Sequence, residues 1–325
     1  MTQNQLTQVN NPLQRELINL FLRSGLPLHF NKTGNKENTN YQKISIVILF
    51  RRSRKSLRHF IEEDLKESKW PSWLGLKKIP KKSTLHDWIK LFSMKTIRQL
   101  LKLLITKKVE LTAIDSTGID AFKRSRHYEK RCEEFKKNKI PPMVYAKTSL
   151  FVDVKNKYIL DWDLVMSREH DTKIAQRIFK RNTFKGIRGL GDKGYDSEPL
   201  HEIARENGID FFAPVRKMNK KAFKNKRPGG FYRRRCKENP PKEKGMRSIV
   251  ESINSVIKGT HISSLRSKKH FMRERELGWH LVYYNLKIKT RQTKDKEVQT
   301  FLFFTIQVLF IPDRAILRIK IKRDD

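Results

Sequence analysis

Acidic side chains are scarce in this chain: 34 Asp and Glu stand against 72 Lys and Arg, a formal net charge of +38. That is more charge than solubility requires. It points to a polyanionic partner, most simply nucleic acid, with an anionic membrane surface as the other reading. Cysteine is nearly missing. Cys132 and Cys236 stand alone, with no CxxC, which excludes a disulfide framework and structural zinc and fits a reducing compartment. Long apolar runs are lacking too, since "FLFFTIQVLFI" (Phe301 to Ile311) is too short to cross a bilayer. The opening "MTQNQLTQVNNPLQ" has neither a basic nor an apolar leader segment, so no secretory signal and a cytoplasmic, nucleoid-associated location are expected. The charge is spread over several segments with no long amphipathic anchor, which argues against the membrane.

What is present divides into three stretches. Residues 1–108 read as helical and basic, a candidate region for DNA binding or dimerisation. In "STLHDWIKLF", Leu85, Trp88, Ile89 and Phe92 form one apolar stripe, with Ser83 or Thr84 as the expected cap and Asp87 in the first turn. The basic clusters "RRSRKSLR" and "KKIPKK" flank it. A small DNA-binding domain and a helical packing unit with solvated Lys faces both fit.

From Val109 the pattern changes to an α/β order. "VELTAID" reads as a strand ending at Asp115, "YAKTSLFVDV" and "KYILDWDLV" as two more joined at Lys155-Asn156, and "DTKIAQRIFK" as a helix. "GIRGLG" leads as a short strand into Asp192, "SEPLHEIARENG" reads as a helix capped by Ser197 and closed at Gly208, and "IDFFAPV" as a last strand. The expected architecture is a mixed sheet flanked by helices over residues 109–290, preceded by the helical region. A basic Pro/Gly-containing insertion covers residues 216–245, where Phe231 and Tyr232 adjoin Arg233, Arg234 and Arg235. It suits a phosphate backbone, or is a basic loop without a role of its own.

Asp115 and Asp192 both fall at expected strand ends, where α/β sheets gather ligands. A third carboxylate, Glu251, lies in "RSIVESINSVIKG". Helical geometry places Arg247, Glu251, Asn254 and Lys258 on one face, and Met246, Ile249, Val250, Ile253, Val256 and Ile257 on the other. An ordinary amphipathic helix would show the same pattern. Three converging carboxylates repel and favour a hard divalent cation such as Mg²⁺; a pair of such ions suits phosphodiester chemistry. Asp192 therefore reads as a metal ligand rather than a turn former.

The segments "AIDSTGID", "SREHDTK", "GLGDKGYDS" and "RSIVESINSVIK", in that order, resemble the DDE-type insertion-sequence transposases over roughly residues 85–290. Arg247, Glu251 and Lys258 match the R-x3-E-x6-K part of the Tyr-Arg-Glu-Lys signature of one large group of them. The resemblance implies a ribonuclease-H-like catalytic domain in which Asp115, Asp192 and Glu251 hold two Mg²⁺ ions, with Mn²⁺ able to substitute. It further implies cleavage at the ends of a mobile element, strand transfer into target DNA, and a homodimer pairing two ends. Arg247 and Lys258 would meet phosphates, His170 and Asp171 match a recurrent pair, and the "GWHLVYYNL" helix would back the helix of Glu251.

Two departures bear on this. Lys244 stands where the signature has its Tyr, able to meet phosphate but not to stack on a base. The tail of residues 291–325 turns strongly apolar from about Glu297 and could form an extra strand pair or a dimer surface, or reflect a frameshift. Two other readings keep the same composition: a metal-dependent DNA nuclease without strand transfer, and a non-catalytic DNA-binding remnant or repressor. Only the last has no use for the three carboxylates.

Overall fold

The computed structural model describes residues 11–30, 36–121, 145–216, 228–262 and 264–309. The helices begin where local chemistry can satisfy their first N–H groups. In α1 (Pro12–Ser24), the Asn11 side chain accepts from the backbone N–H groups of Leu13 and Gln14, and Pro12 is at the first position. In α2 (Asn40–Ser53), Thr39 and Gln42 form a reciprocal capping box. Leu57–His59 and Phe60–Leu65 wind one further segment, followed by α3 (Trp70–Leu74), α4 (Lys82–Leu91) and α5 (Met94–Leu103). The apolar stripe of α4 is buried as expected: Leu85, Trp88, Ile89 and Phe92 all leave solvent, each contributing about 1.5–3 kcal/mol. The helix nevertheless starts at Lys82 with Lys81 at the cap position, so Ser83 and Thr84 lie inside it and do not cap.

Five strands follow: β1 (Leu111–Asp120), β2 (Tyr145–Asp153), β3 (Ile159–Val165), β4 (Ile187–Leu190) and β5 (Ile209–Phe212). Their order across the sheet is β3-β2-β1-β4-β5. The first three pair antiparallel, and β1–β4 and β4–β5 run parallel. This is the mixed sheet of an α/β fold, as expected from the order of elements in the sequence. Helix α6 (Asp171–Lys180) leads to β4, and α7 (Glu198–Glu206) joins β4 to β5. Both pack on one face of the sheet around Ile114, Phe151 and Phe179. On the opposite face one continuous apolar cluster runs from Ala113, Val152 and Trp162 into the N-terminal helices. The helical region and the sheet therefore share a core.

The remaining helices are α8 (Phe231–Glu238), α9 (Ser248–Val256) and α10 (His270–Leu309). Helix α10 packs against α1, α2, α5 and β3 and meets the segment of Glu251 at the turn Ile257–His261. It thus backs the N-terminal helices rather than the Glu251 helix, a correction to the sequence reading. Its Gly278 is needed for close approach: a Cβ there would come within 2.6 Å of the Trp162 ring. Asn285 covers edge strand β3, accepting from the Ile159 N–H at 2.9 Å and donating to its carbonyl at 2.8 Å. The backbone of α10 stays helical to Leu309, so the apolar tail up to that point is no strand pair; residues 310–325, like Cys132, lie outside the described residues. Among the described residues no helix is long and apolar enough to cross a membrane.

Candidate active site

Asp115 is not at the end of its strand, as its alternating pattern suggested; β1 runs on to Asp120. What ends near it is the parallel pairing. The last β1–β4 pair is Ala113 with Leu190, so Asp115 and Asp192 each lie two residues beyond it. Past this point β1 continues as a hairpin with β2 alone, opening a notch above the end of β4. Gly191 makes the notch possible, because a Cβ there would meet the Phe211 ring at 2.6 Å.

At the notch Asp192 does form a turn. Its Oδ1 accepts from the Gly194 N–H at 2.7 Å, capping the short turn Lys193–Tyr195. The sequence reading that set ligand against turn former is corrected: one oxygen is engaged by the turn, and the side chain is only partly buried. Tyr195 fixes this turn from below. It is fully buried, and its hydroxyl stands 3.0 Å from Ser116 Oγ, which stands 2.6 Å from Ser149 Oγ. Burial pushes the Tyr195 hydroxyl well up, so it stays protonated. Sequence reasoning quoted Tyr195 and Ser116 without giving them this role; the signal was a tyrosine three residues after the aspartate and a serine beside the other. Arg216 locks the turn from outside, donating to the carbonyls of Lys193 and Gly194 at 2.7 Å each.

The carboxyl of Asp115 is raised above its ordinary range, first by burial and then by the charges of Asp192 and Glu251; the Ser116 backbone N–H and Arg247 oppose this. Three carboxylates and Arg247 thus act on one point. They do not close into a common ligand set: among the described residues no three His, Cys, Asp or Glu side chains are grouped to hold a metal ion. Glu251 is exposed and paired with Arg247 at 2.7 Å across one helical turn. Asp115 and Asp192 fit a hard divalent cation, since Asp115 carries its charge at a cost that a neighbouring cation would relieve. Glu251 would have to exchange Arg247 for the metal.

The cations expected to meet nucleic acid divide. Lys244 and Lys258 are exposed. Arg234 is exposed, its Nε donating to the Gly230 carbonyl at 3.0 Å. Arg235 pairs with Asp210 at 3.2 Å. Arg233 is not available for DNA: it clamps the buried Asp196 through two hydrogen bonds of 2.7 and 2.8 Å, fastening α8 to the turn after Asp192. Asn254 is also corrected, being 6% exposed and turned inward with Val250 and Ile253. Conversely, Met246 and Val256, expected inside, are exposed. Lys242–Arg247 form a tighter 3₁₀ turn, so a wheel drawn at α-helical pitch misplaces Met246. His170 caps α6, its Nδ1 accepting from the Thr172 N–H at 3.3 Å. Asp171 pairs with Lys147 at 2.9 Å.

A family model described as "Transposase DDE domain" matches residues 107–286. Among solved structures the chain is similar to a cryo-EM structure of the piggyBac transposase synaptic complex with hairpin DNA, at 12% sequence identity and a TM-score of 0.43, covering 97% of this chain and 83% of that one. No curated protein matches by sequence.

Proposed function

From its membership of the transposase DDE domain family, which matches residues 107–286 of this chain, we propose a specific reading of the site: Asp115, Asp192 and Glu251 are the acidic triad of a DNA transposase. On this reading the chain hydrolyses the phosphodiester at the ends of an insertion sequence and transfers the freed 3′-hydroxyl into target DNA. It works in the cytoplasm at the nucleoid, as a homodimer that pairs two ends. The observation that supports it best is the raised carboxyl of Asp115 under the charges of Asp192 and Glu251, in a chain otherwise so rich in cations.

The three carboxylates would hold divalent cations, Mg²⁺ by preference with Mn²⁺ as substitute and two in number. Bound there, these would activate the attacking oxygen and stabilise the leaving one. The chain's own cations do the positioning. Lys244 and Lys258, both exposed, meet the phosphate backbone on either side of Glu251, Lys244 by charge alone. Arg247, paired with Glu251 before a cation arrives, is released to meet a phosphate when that carboxylate turns to the metal. Tyr195 and the Ser116–Ser149 pair hold Asp115 and Asp192 in a fixed relation.

The test is a Mg²⁺- or Mn²⁺-dependent cleavage and joining assay on DNA flanking the gene, comparing wild type with Asp192→Asn. The variant is expected to lose about three orders of magnitude in cutting rate, the scale of losing one group that stabilises developing charge, while binding DNA at least as tightly. Cutting at the wild-type rate would refute the assignment. Cutting without joining would instead favour a nuclease, and binding with neither a non-catalytic DNA-binding protein.

A further inference from the structure

The C-terminal end of α2 carries a cation that the carboxylate site does not use. Arg51 is 7% exposed, and its guanidinium lies 4.6 Å from the Phe50 ring centroid. Among the described residues its Nε, fully buried, has no hydrogen-bond partner. The acid beside it is the buried Glu276, whose Oε1 is 3.9 Å from Arg51 Nη1, beyond hydrogen-bond length. Both Glu276 oxygens are already engaged, accepting the backbone N–H groups of Arg266 at 3.1 Å and Ser267 at 2.9 Å. A guanidinium does not shed its proton, so a full charge with an unmet donor is held in the interior. Burial pulls the Arg51 pKa down, Glu276 opposes this, and Arg266 adds to it.

This side chain lines an open cleft of about 130 Å³ between the end of α2, the turn Ile257–His261 and α10, and Arg54 and Arg266 line it as well. Arg266 is exposed and donates to the Arg54 carbonyl at 3.1 Å, tying the loop to α2. Lys55, at the same cleft, is matched by Glu63 at 2.9 Å and Asp64 at 3.0 Å. Three arginines therefore line a cleft whose lining carboxylate, Glu276, already serves the backbone with both oxygens.

We propose that this cleft binds a phosphate group through the guanidinium of Arg51, supported by Arg54 and Arg266. The planar fork of arginine matches phosphate oxygens in shape and charge. The turn that walls the cleft continues directly from the Glu251 helix, roughly 12 Å further on at a rise of ~1.5 Å per residue. That is several nucleotides along a strand whose phosphates advance by about 3.4 Å each. A backbone phosphate of bound nucleic acid and a free phosphate both satisfy this chemistry.

The test uses the full chain and two readouts. Inorganic phosphate, compared with chloride at equal ionic strength, raises the melting temperature of the wild type if the cleft takes the free anion; Arg51→Met, which keeps the packing on Phe50, abolishes the rise. Binding of a DNA duplex is followed across salt concentrations by fluorescence anisotropy. With a backbone phosphate in the cleft, Arg51→Met lowers the slope of log affinity against log salt by about 0.9, alike for every sequence. If Arg51→Met does not fold, Arg266→Gln, at an exposed side chain, carries the same two measurements. A lowered slope, with or without the thermal shift, assigns the cleft to the DNA backbone, and a thermal shift with an unchanged slope assigns it to a free phosphate. No change in either readout for a folded variant overturns the proposal. Both readouts report binding, so a wild type that cuts no DNA would fail the carboxylate assignment and leave this result standing.

Discussion

Two pairs of aspartates sit on one sheet and are treated in opposite ways. On β3, Asp161 is fully buried and Asp163 is 7% exposed. Asp161 accepts from Arg98 Nε at 3.1 Å, Arg181 Nε at 3.1 Å and Asn182 Nδ2 at 2.8 Å. Asp163 accepts from Arg177 Nε at 2.9 Å, and the same guanidinium grips Glu169 with its other two nitrogens. At the notch, Asp115 has an opposing charge in Arg247 and two like charges in Asp192 and Glu251. A chain with 72 basic side chains does not lack arginines to match every carboxylate. On β3, where the carboxylates serve the fold, they are matched by arginines; at the notch they are left in one another's field, and a cation from outside is the natural complement.

The sharpest way to break this contrast is to unmatch the structural pair. Asp161→Asn keeps the shape and leaves Arg98 and Arg181 facing a neutral amide, and Arg98 is the link from α5 to β3. Removing one partner of a buried pair typically costs about 3 kcal/mol or more. The urea midpoint should fall by a corresponding amount while DNA affinity at a given salt stays unchanged in the folded fraction. A loss below about 0.5 kcal/mol, the range of ordinary surface substitutions, would mean that the two aspartate pairs are not different in kind.

At the other pair the same reasoning runs in reverse. The folded carboxyl of Asp115 is raised, so the stability it contributes is present below the unfolded value and is lost as pH rises through the folded one. At neutral pH the ionised side chain is a liability. Asp115→Asn should therefore melt higher than wild type near pH 7, and the gap should close in acid as the wild-type carboxyl takes up its proton. Added Mg²⁺ should stabilise the wild type, by about 1.4 kcal/mol at ten times its dissociation constant, and leave Asp115→Asn nearly unmoved. A variant less stable than wild type at neutral pH, with an undiminished response to Mg²⁺, would remove Asp115 from the metal site.

The fold was largely legible because its punctuation is local. Strands β2 and β3 with their turn, α6, and the path from β4 through α7 to β5 follow from apolar patterning and from the glycine that follows α7, although Ser197, expected to cap α7, stands at its N-cap without a side-chain hydrogen bond to it. The extent of β1 was not legible. Its second half, "STGID", is polar because it pairs with β2 alone beyond the end of β4 and borders the site, so alternation ceases where the strand does not. Arg233 was misread for a related reason. A run of arginines beside aromatics looks the same whether it meets a phosphate or a buried carboxylate such as Asp196, and only the docking of α8 decides. Arg51 lay inside a basic cluster whose other members suggested a solvated face, and nothing local marks it as buried. The aspartates of the notch stood out for the opposite reason: they are rare residues in glycine-rich or strand settings of a basic chain.

The smallest effect concerns the ion pair between Arg247 and Glu251, which holds one member of the site away from a shared cation. Their side chains are 28% and 56% exposed, and they are spaced i,i+4 with the cation nearer the N-terminus. This is the less favourable order for the helix dipole. A double-mutant cycle with Arg247→Gln and Glu251→Gln should therefore give a coupling of about 0.3 kcal/mol in unfolding free energy, fading as salt is raised. So weak a bond can be exchanged: any divalent cation that offers Glu251 more than a few tenths of a kcal/mol draws the carboxylate away and leaves Arg247 for a phosphate. A coupling above about 1 kcal/mol that resisted salt would make the pair part of the built fold, in the manner of Asp161 and its arginines. Glu251 would then belong with the matched carboxylates, and the acidic triad would lose its third member.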